Sequence, residues 1–301
     1  VGRAAIVAGC THCFGYPITP QSEVPEYFAR ELPKVGGTFV QAESEVSAIN
    51  MVYGAAGSGV RVMTSSSSPG VSLKQEGISY IASAELPCVI VNMMRGGPGL
   101  GSIQPSQTDY HQAVRGGGNG DYRLLVLAPG DVQELVDFIM EGFDLADYYK
   151  NPVMILGDGV IGQMMEPVEF VKKSERKLAP KDWATTGTGG KRKPNIINTL
   201  YMNPAELEVH NQHLQAKYAE IKKNEVRVES SGLEDAEIVL TAFGTTARIA
   251  KTAMAELHKM GKKVGMIRPQ SLWPFPYDEY KKINPGCKNI LTVEMNTGQM
   301  I

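Results

Sequence analysis

The chain has 301 residues, 43% apolar and 21% charged, with a formal net charge of −2. That is length enough for two domains with sizeable cores, and the composition excludes disorder and a disulfide scaffold. The near-neutral balance excludes a whole-chain attraction to nucleic acid or an anionic membrane, and no apolar run approaches the about 18 residues of a membrane helix.

Residues 3–10 pattern as a short helix ahead of a rigid turn, Tyr16-Pro-Ile-Thr-Pro20. Thr38–Ala42 is a candidate strand, and Val46, Ile49, Val52, Tyr53 and Ala56 then recur at helix spacing. Val60–Thr64 reads as a strand, Val71–Ala84 as a helix and Pro87–Met93 as a fully apolar strand. Leu124–Ala128 is another strand, a helix opens after the capping acid Asp131, and Pro152–Leu156 closes the series. Apolar strands alternating with amphipathic helices imply an α/β fold, a parallel sheet covered on both faces, over residues 1–161.

From 162 to 230 the pattern dissolves. Residues 172–193 hold eight Lys or Arg, and a polar helix, Pro204–Lys223, follows. This stretch reads as a solvated polar linker or arm rather than as a dock for an acidic electron carrier. A second, incomplete α/β series occupies 231–301, with strands at Ile238–Ala242, Lys263–Ile267 and Asn289–Glu294 and a helix at Thr245–Lys259. Val1 opens inside a helix-like run and Ile301 follows no stop signal, so the chain is expected to continue at both ends. With no basic-then-apolar leader at its start, a soluble, cytoplasmic protein is expected.

Cys10-Thr-His-Cys13 is a CxxC without a second pair, where a zinc or iron–sulfur site needs about four ligands. Both cysteines read as small, partly buried residues near the end of an apolar helix. The glycine-rich run Gly96–Gly101 follows a strand but leads into Pro105 instead of a helix, so it is no dinucleotide fingerprint. No phosphate-binding G-x-x-x-x-G-K-[ST] loop occurs.

Five motifs stand in a telling order: Tyr16-Pro-Ile-Thr-Pro20, Gln41-Ala-Glu-Ser-Glu45, Ser66-Ser-Ser-Pro-Gly70, Arg95-Gly-Gly-Pro98 and Gly120-Asp-Tyr122. In these the chain resembles the α subunit of the 2-oxoacid:ferredoxin oxidoreductases, closest to the branched-chain, 2-oxoisovalerate subtype. The likeness implies a thiamine-diphosphate-binding fold carrying the pyrimidine domain, followed by a transketolase-C-like domain from 231. It also implies oxidative decarboxylation of a 2-oxoacid with coenzyme A, giving an acyl-CoA, carbon dioxide and reduced ferredoxin. Rivals are the same chemistry on 2-oxoglutarate or pyruvate, and a non-catalytic α/β scaffold subunit.

Gly157-Asp-Gly159 could suggest the Mg²⁺–diphosphate motif of thiamine enzymes, but no asparagine follows until Asn195, and a plain turn is the better reading. The diphosphate and Mg²⁺ are therefore expected on a β subunit, and [4Fe-4S] clusters on further partners, the γ and ferredoxin-like δ subunits. No metal is expected on this chain.

The resemblance selects Glu45 as catalytic: its carboxyl is to face N1′ of the aminopyrimidine, sharing a proton in apolar surroundings that outweigh the helix N-terminus. Glu43 would cap a helix start as well. Pro17 and Thr19 are expected at the cofactor, with Thr19 also facing the substrate. Arg95, at the carboxyl end of a strand, is expected to clamp the 2-oxoacid carboxylate with paired hydrogen bonds. Leu100 stands where the 2-oxoglutarate subtype carries polar residues, and an apolar side chain there suits a branched aliphatic substrate. Asp109, His111 and the segment Glu294–Gln299 are left without a role.

Overall fold

In a computed structural model, which describes residues 1–171 and 176–301, the apolar runs fold as strands separated by helices. The first region contains α1 (Gly2–Val7), β1 (His12–Gly15), α2 (Glu23–Glu31), β2 (Thr38–Gln41), α3 (Glu45–Gly57), β3 (Val62–Ser66), α4 (Ser68–Leu73) and α5 (Gln75–Ser83). It continues through β4 (Val89–Gly96), β5 (Ser102–Pro105), α6 (Tyr110–Arg115), β6 (Leu125–Leu127), α7 (Val132–Tyr149), β7 (Val153–Asp158) and α8 (Gly159–Gln163). After α9 (Pro204–Asn224) come β8 (Val228–Ser231), β9 (Ile238–Thr241), α10 (Gly244–Lys259), β10 (Val264–Pro269), β11 (Ser271–Trp273) and β12 (Asn289–Thr292).

Among the described residues the main sheet has eight strands in the order β11-β6-β7-β4-β3-β1-β2, with β5 attached to β4. The strands from β6 to β2 run parallel, so their carboxyl ends lie along one edge. Val89, Ile90 and Val91 in the middle of β4 are fully buried, which is why that strand reads as an unbroken apolar run. The helix α7 covers one face, its Ile139, Phe143 and Leu145 buried, each worth about 1.5–3 kcal/mol against exposure. A second sheet runs β12-β9-β10-β8.

Several expectations are corrected. The described residues of 162–230 are not wholly solvated: Leu214, Tyr218 and Ile221 of α9 are buried in the first region's core. Their i, i+4, i+7 spacing makes a narrow stripe that the surrounding Glu, Gln and Lys conceal. Tyr218 meets Trp273 edge to face at 5.7 Å, and further upstream Thr185 N–H donates to the Gly57 carbonyl at 2.9 Å. Part of the basic run, residues 172–175, lies outside the described residues; beyond it Arg176 pairs with Glu225 and Lys181 with Asp147.

The second region also lends a strand to the first, since β11 adds an antiparallel edge strand beside β6. Cys13 lies on β1, not near a helix end, and burial pushes both its thiol and that of Cys10 up, the latter to about 12. The single helix expected over 71–84 divides at Lys74 into α4 and α5. Gly157–Gly159 is a strand-to-helix junction instead of a plain turn. Asp158 Oδ1 there caps α8 and accepts the Thr245 hydroxyl of the second region at 2.9 Å.

Candidate functional site

Motifs distant in sequence meet because β1, β3, β4 and β7 all end on the same edge of the sheet. From β1 the chain enters the Tyr16–Pro20 turn, from β3 the Ser66–Gly70 run, and from β4 the Arg95 loop. On the same side, β2 leads to the start of α3. Ser44 caps that helix, its Oγ accepting from Ser47 N–H at 3.2 Å, which places Glu45 as the first helical residue.

The two acids of this motif have opposite environments. Glu43 is exposed, accepts the Ser47 hydroxyl at 2.6 Å and is held below the usual carboxylate range by that bond. Glu45 is only 6% exposed. A Cβ on Gly70 would stand 2.6 Å from Glu45 Oε1 and 2.2 Å from Ser66 Oγ, so only glycine lets all three approach. Ser66 Oγ and Ser67 Oγ are buried without a hydrogen-bond partner among the described residues. Buried hydroxyls left in this way are uncommon and mark places where a ligand can complete the bonding.

The surroundings of Glu45 are not wholly apolar as expected. Lys74, fully buried, lies close enough to interact with its charge and donates Nζ–H to Thr64 Oγ1 at 2.7 Å. Burial lowers the Lys74 ammonium to about 8, against the pull of Glu45 and then Cys13. Sequence reasoning missed this residue by taking it as part of an amphipathic helix. The available signal was its position four residues after Gly70, on the same helical face.

Arg95 joins two of the other expected residues, Thr19 and Leu100. It is 5% exposed; Nη1 donates to the Thr19 carbonyl at 3.0 Å and Nη2 to the Leu100 carbonyl at 2.9 Å, while Nε has no partner among the described residues. Two of the five guanidinium N–H donors thus hold backbone, while Nε–H and the second hydrogens of Nη1 and Nη2 are left for a carboxylate. Behind it, Arg95 N–H donates to Ser68 Oγ at 3.0 Å, and Ser68 donates to Asp109 Oδ2 at 2.6 Å. Asn92 donates to the same oxygen at 2.9 Å, and burial raises the Asp109 carboxyl. Asp109 therefore supports the Arg95 loop from inside.

Pro17 and Thr19 are exposed at the rim, and Leu100 is 80% exposed on the loop between β4 and β5. Only the Leu100 carbonyl is brought to Arg95. His111 and Gln299 meet through backbone, His111 N–H donating to Gln299 Oε1 at 2.9 Å, so the Glu294–Gln299 segment docks beside α6. Among the described residues no group of three or more His, Cys, Asp or Glu could hold a metal ion. No helix among them is long and apolar enough to cross a membrane.

Residues 3–230 match the family model described as pyruvate flavodoxin/ferredoxin oxidoreductase, thiamine diphosphate-binding, and residues 236–301 match the pyruvate:ferredoxin oxidoreductase core domain II. The chain belongs to this family of 2-oxoacid:ferredoxin oxidoreductases. It is 52% identical, over 98% of its own length and 84% of the relative's, to the ketoisovalerate oxidoreductase subunit VorB of Methanothermobacter marburgensis. The 2-oxoglutarate synthase subunit KorA of Methanocaldococcus jannaschii is 37% identical, with 99% and 87% covered. Among solved structures, the 2-oxoglutarate:ferredoxin oxidoreductase from Magnetococcus marinus superposes with a TM-score of 0.85 at 29% identity. That match covers 98% of this chain and 56% of the longer one, so the chain spans little more than half of that polypeptide.

The family model describes a thiamine-diphosphate-binding domain. The buried Glu45 carboxylate and the orphaned Ser66 and Ser67 hydroxyls are acceptors and donors that fit the polar ring edge of such a cofactor, while the room left by Gly70 is taken by Ser66 Oγ and Glu45 Oε1 themselves.

Proposed function

We propose that this chain is the α subunit of a cytoplasmic 2-oxoacid:ferredoxin oxidoreductase that converts 2-oxoisovalerate and coenzyme A to the branched acyl-CoA and carbon dioxide, passing electrons to ferredoxin. The observation that carries the reading is Glu45, buried at a helix start against Gly70 and beside the unpartnered Ser66 hydroxyl. Thiamine diphosphate, when bound, supplies the carbanion chemistry. Glu45 holds a proton at N1′ of the aminopyrimidine, and Pro17 and Thr19 contact the cofactor from the rim. Arg95 turns its Nε–H to the substrate carboxylate, and its bonds to Thr19 and Leu100 keep the two loops in register around it.

The diphosphate and Mg²⁺ are assigned to a β subunit, and the [4Fe-4S] clusters to γ and δ subunits, the latter ferredoxin-like. The choice of 2-oxoisovalerate rests on Leu100 and on the 52% identity to a ketoisovalerate oxidoreductase subunit.

Reconstitution with the partner subunits tests the whole reading. The complex is expected to reduce a viologen dye with 2-oxoisovalerate and coenzyme A, and to do so faster than with 2-oxoglutarate or pyruvate. Equal or greater initial rates on 2-oxoglutarate would transfer the assignment to that substrate. Turnover by the isolated chain would contradict a shared site.

A further inference from the structure

Segments 106–111 and 294–300, far apart in the chain, are bound to each other across the two regions. The first links β5 to α6; the second is a tight turn after β12, closed by Asn296 Oδ1 accepting from Gly298 and Gln299 N–H at 2.8 and 3.1 Å. Gln107 is fully buried, and all four of its polar atoms are bonded to the second region. Its N–H donates to the Met295 carbonyl at 3.0 Å, and its carbonyl accepts from Asn296 Nδ2 at 2.9 Å. Nε2 donates to the Phe243 carbonyl at 2.8 Å, and Oε1 accepts from Met295 N–H and the Thr246 hydroxyl, each at 3.1 Å. Gln299 grips the same stretch further on, donating Nε2–H to the Thr108 carbonyl at 2.8 Å and accepting from His111 N–H at 2.9 Å. Between these grips lies Asp109, whose Oδ2 takes the Ser68 hydroxyl on which Arg95 N–H rests. Thr108 adds a hydroxyl bond to the Arg95 carbonyl at 3.3 Å.

We propose that Gln107 and Gln299 are positioning residues for Arg95: they clasp the Ser106–His111 segment to the second region, and that segment, through Asp109 and Ser68, fixes the Arg95 main chain at the crevice. This inference rests on the assignment of Arg95 to the 2-oxoacid carboxylate given above. A guanidinium reaches its partner only if its backbone is held, and a misplacement of about 1 Å can cost about 10²-fold in rate. Strand pairing alone does not hold Arg95, because the ladder between β4 and β5 shifts register between Arg95 and Gly96. The side-chain bonds from Ser68 and Thr108 supply what the irregular ladder lacks. Ser68 depends in turn on Asp109, which is fixed by the clasped backbone on either side and by Asn92 Nδ2 at 2.9 Å. Fully bonded buried polar groups specify one arrangement, where apolar contact alone would let the regions slide. The second region thereby contributes to 2-oxoacid affinity without touching the substrate.

The test uses the assembled complex with wild-type chain, Gln299→Leu, Ser68→Ala, Arg95→Met and the double variant Gln299→Leu with Arg95→Met. It reads kcat and KM for the 2-oxoacid that the complex turns over fastest, and KM for coenzyme A. Gln299→Leu should raise the 2-oxoacid KM about tenfold, the scale of unmaking buried hydrogen bonds, with kcat kept within about threefold. The KM for coenzyme A should match wild type. Ser68→Ala cuts the link between Asp109 and Arg95 and should give the same pattern, which also serves if Gln299→Leu does not assemble. The double variant decides whether the effect passes through Arg95: in the Arg95→Met background, Gln299→Leu should change the 2-oxoacid KM by less than about twofold. A merely structural contact would add its full factor in both backgrounds, and that result would overturn the inference. So would an unchanged 2-oxoacid KM in an assembled Gln299→Leu or Ser68→Ala complex, or a rise confined to coenzyme A; each leaves Arg95 in place. Unchanged kcat/KM in Arg95→Met would instead remove the assignment on which the inference stands.

Discussion

The crevice has two walls of different construction. On one, Glu45, Ser66, Gly70 and Lys74 are buried, and the near-contact at Gly70 leaves them no freedom. On the other, Pro17, Thr19 and Leu100 are exposed, and the carbonyls of Thr19 and Leu100 accept from Arg95. The first wall is finished by this chain's own packing. The second has anchors and is open to solvent. Preorganised electrostatics belong on the rigid wall, because a charge that must act on a cofactor proton cannot be left to reorient. Substrate selection suits the looser wall, where small changes of contact shift affinity without collapsing the fold.

That contrast can be broken most severely at Glu45. Glu45→Gln keeps size and helix start but removes the proton-sharing carboxyl, and should slow C2-proton exchange in the complex by orders of magnitude with assembly intact. Next is Arg95→Met, which removes both the loop staple and the substrate donor. A loss of about 10²–10³ in kcat/KM for the 2-oxoacid is expected, consistent with about 3–4 kcal/mol for a buried charged hydrogen-bonding group. An unchanged kcat/KM would show that neither wall depends on it.

Gly70→Ala probes the rigid wall by size alone. Its methyl would overlap Ser66 Oγ and Glu45 Oε1, so cofactor affinity should fall at least tenfold, with overpacking costing about 1–3 kcal/mol in a denaturant titration. Lys74→Met should do the opposite to stability. A lysine whose ammonium is lowered on folding from 10.5 to about 8 destabilises the fold fully below about pH 8 and not at all above its unfolded value. Lys74→Met is therefore expected to gain up to about 3 kcal/mol at pH 7, less the lost Thr64 bond, and the gain should fade as pH rises toward 10. A loss of stability at pH 7 would identify Lys74 as a structural residue. The smallest effect belongs to the loose wall: Leu100→Thr should change the preference between 2-oxoisovalerate and 2-oxoglutarate by about tenfold, in the range of 1–3 kcal/mol for one pocket contact. Its stability should be near that of wild type, since the side chain is exposed.

How much of this was legible in the sequence differs from residue to residue. Apolar periodicity located β3, β4, α3 and α7 because their burial is continuous or one-sided, and such burial writes itself into spacing. The helix α9 was legible over Pro204–Lys223 but its docked face was not, since three apolar positions among many charges are enough to dock a helix, and β11 was too short to show a period. Motif order brought Glu45 and Arg95 forward, yet Glu43 and Glu45 were equivalent as helix-capping acids until burial separated them. Arg95 reads as a carboxylate clamp, but that two of its five hydrogens also staple the carbonyls of Thr19 and Leu100 is announced by no local pattern.

From the sequence alone came the parallel α/β architecture, the family, and the list of residues with the right chemistry, since periodicity and motif order are properties of the chain itself. Tertiary structure alone decided which of those residues lose water and which stay at the rim. It also buried Lys74 and folded one face of α9 onto the core. The reason is physical: desolvation and charge proximity depend on what packs from elsewhere in the chain, and neighbours separated by tens of residues leave no mark on local spacing.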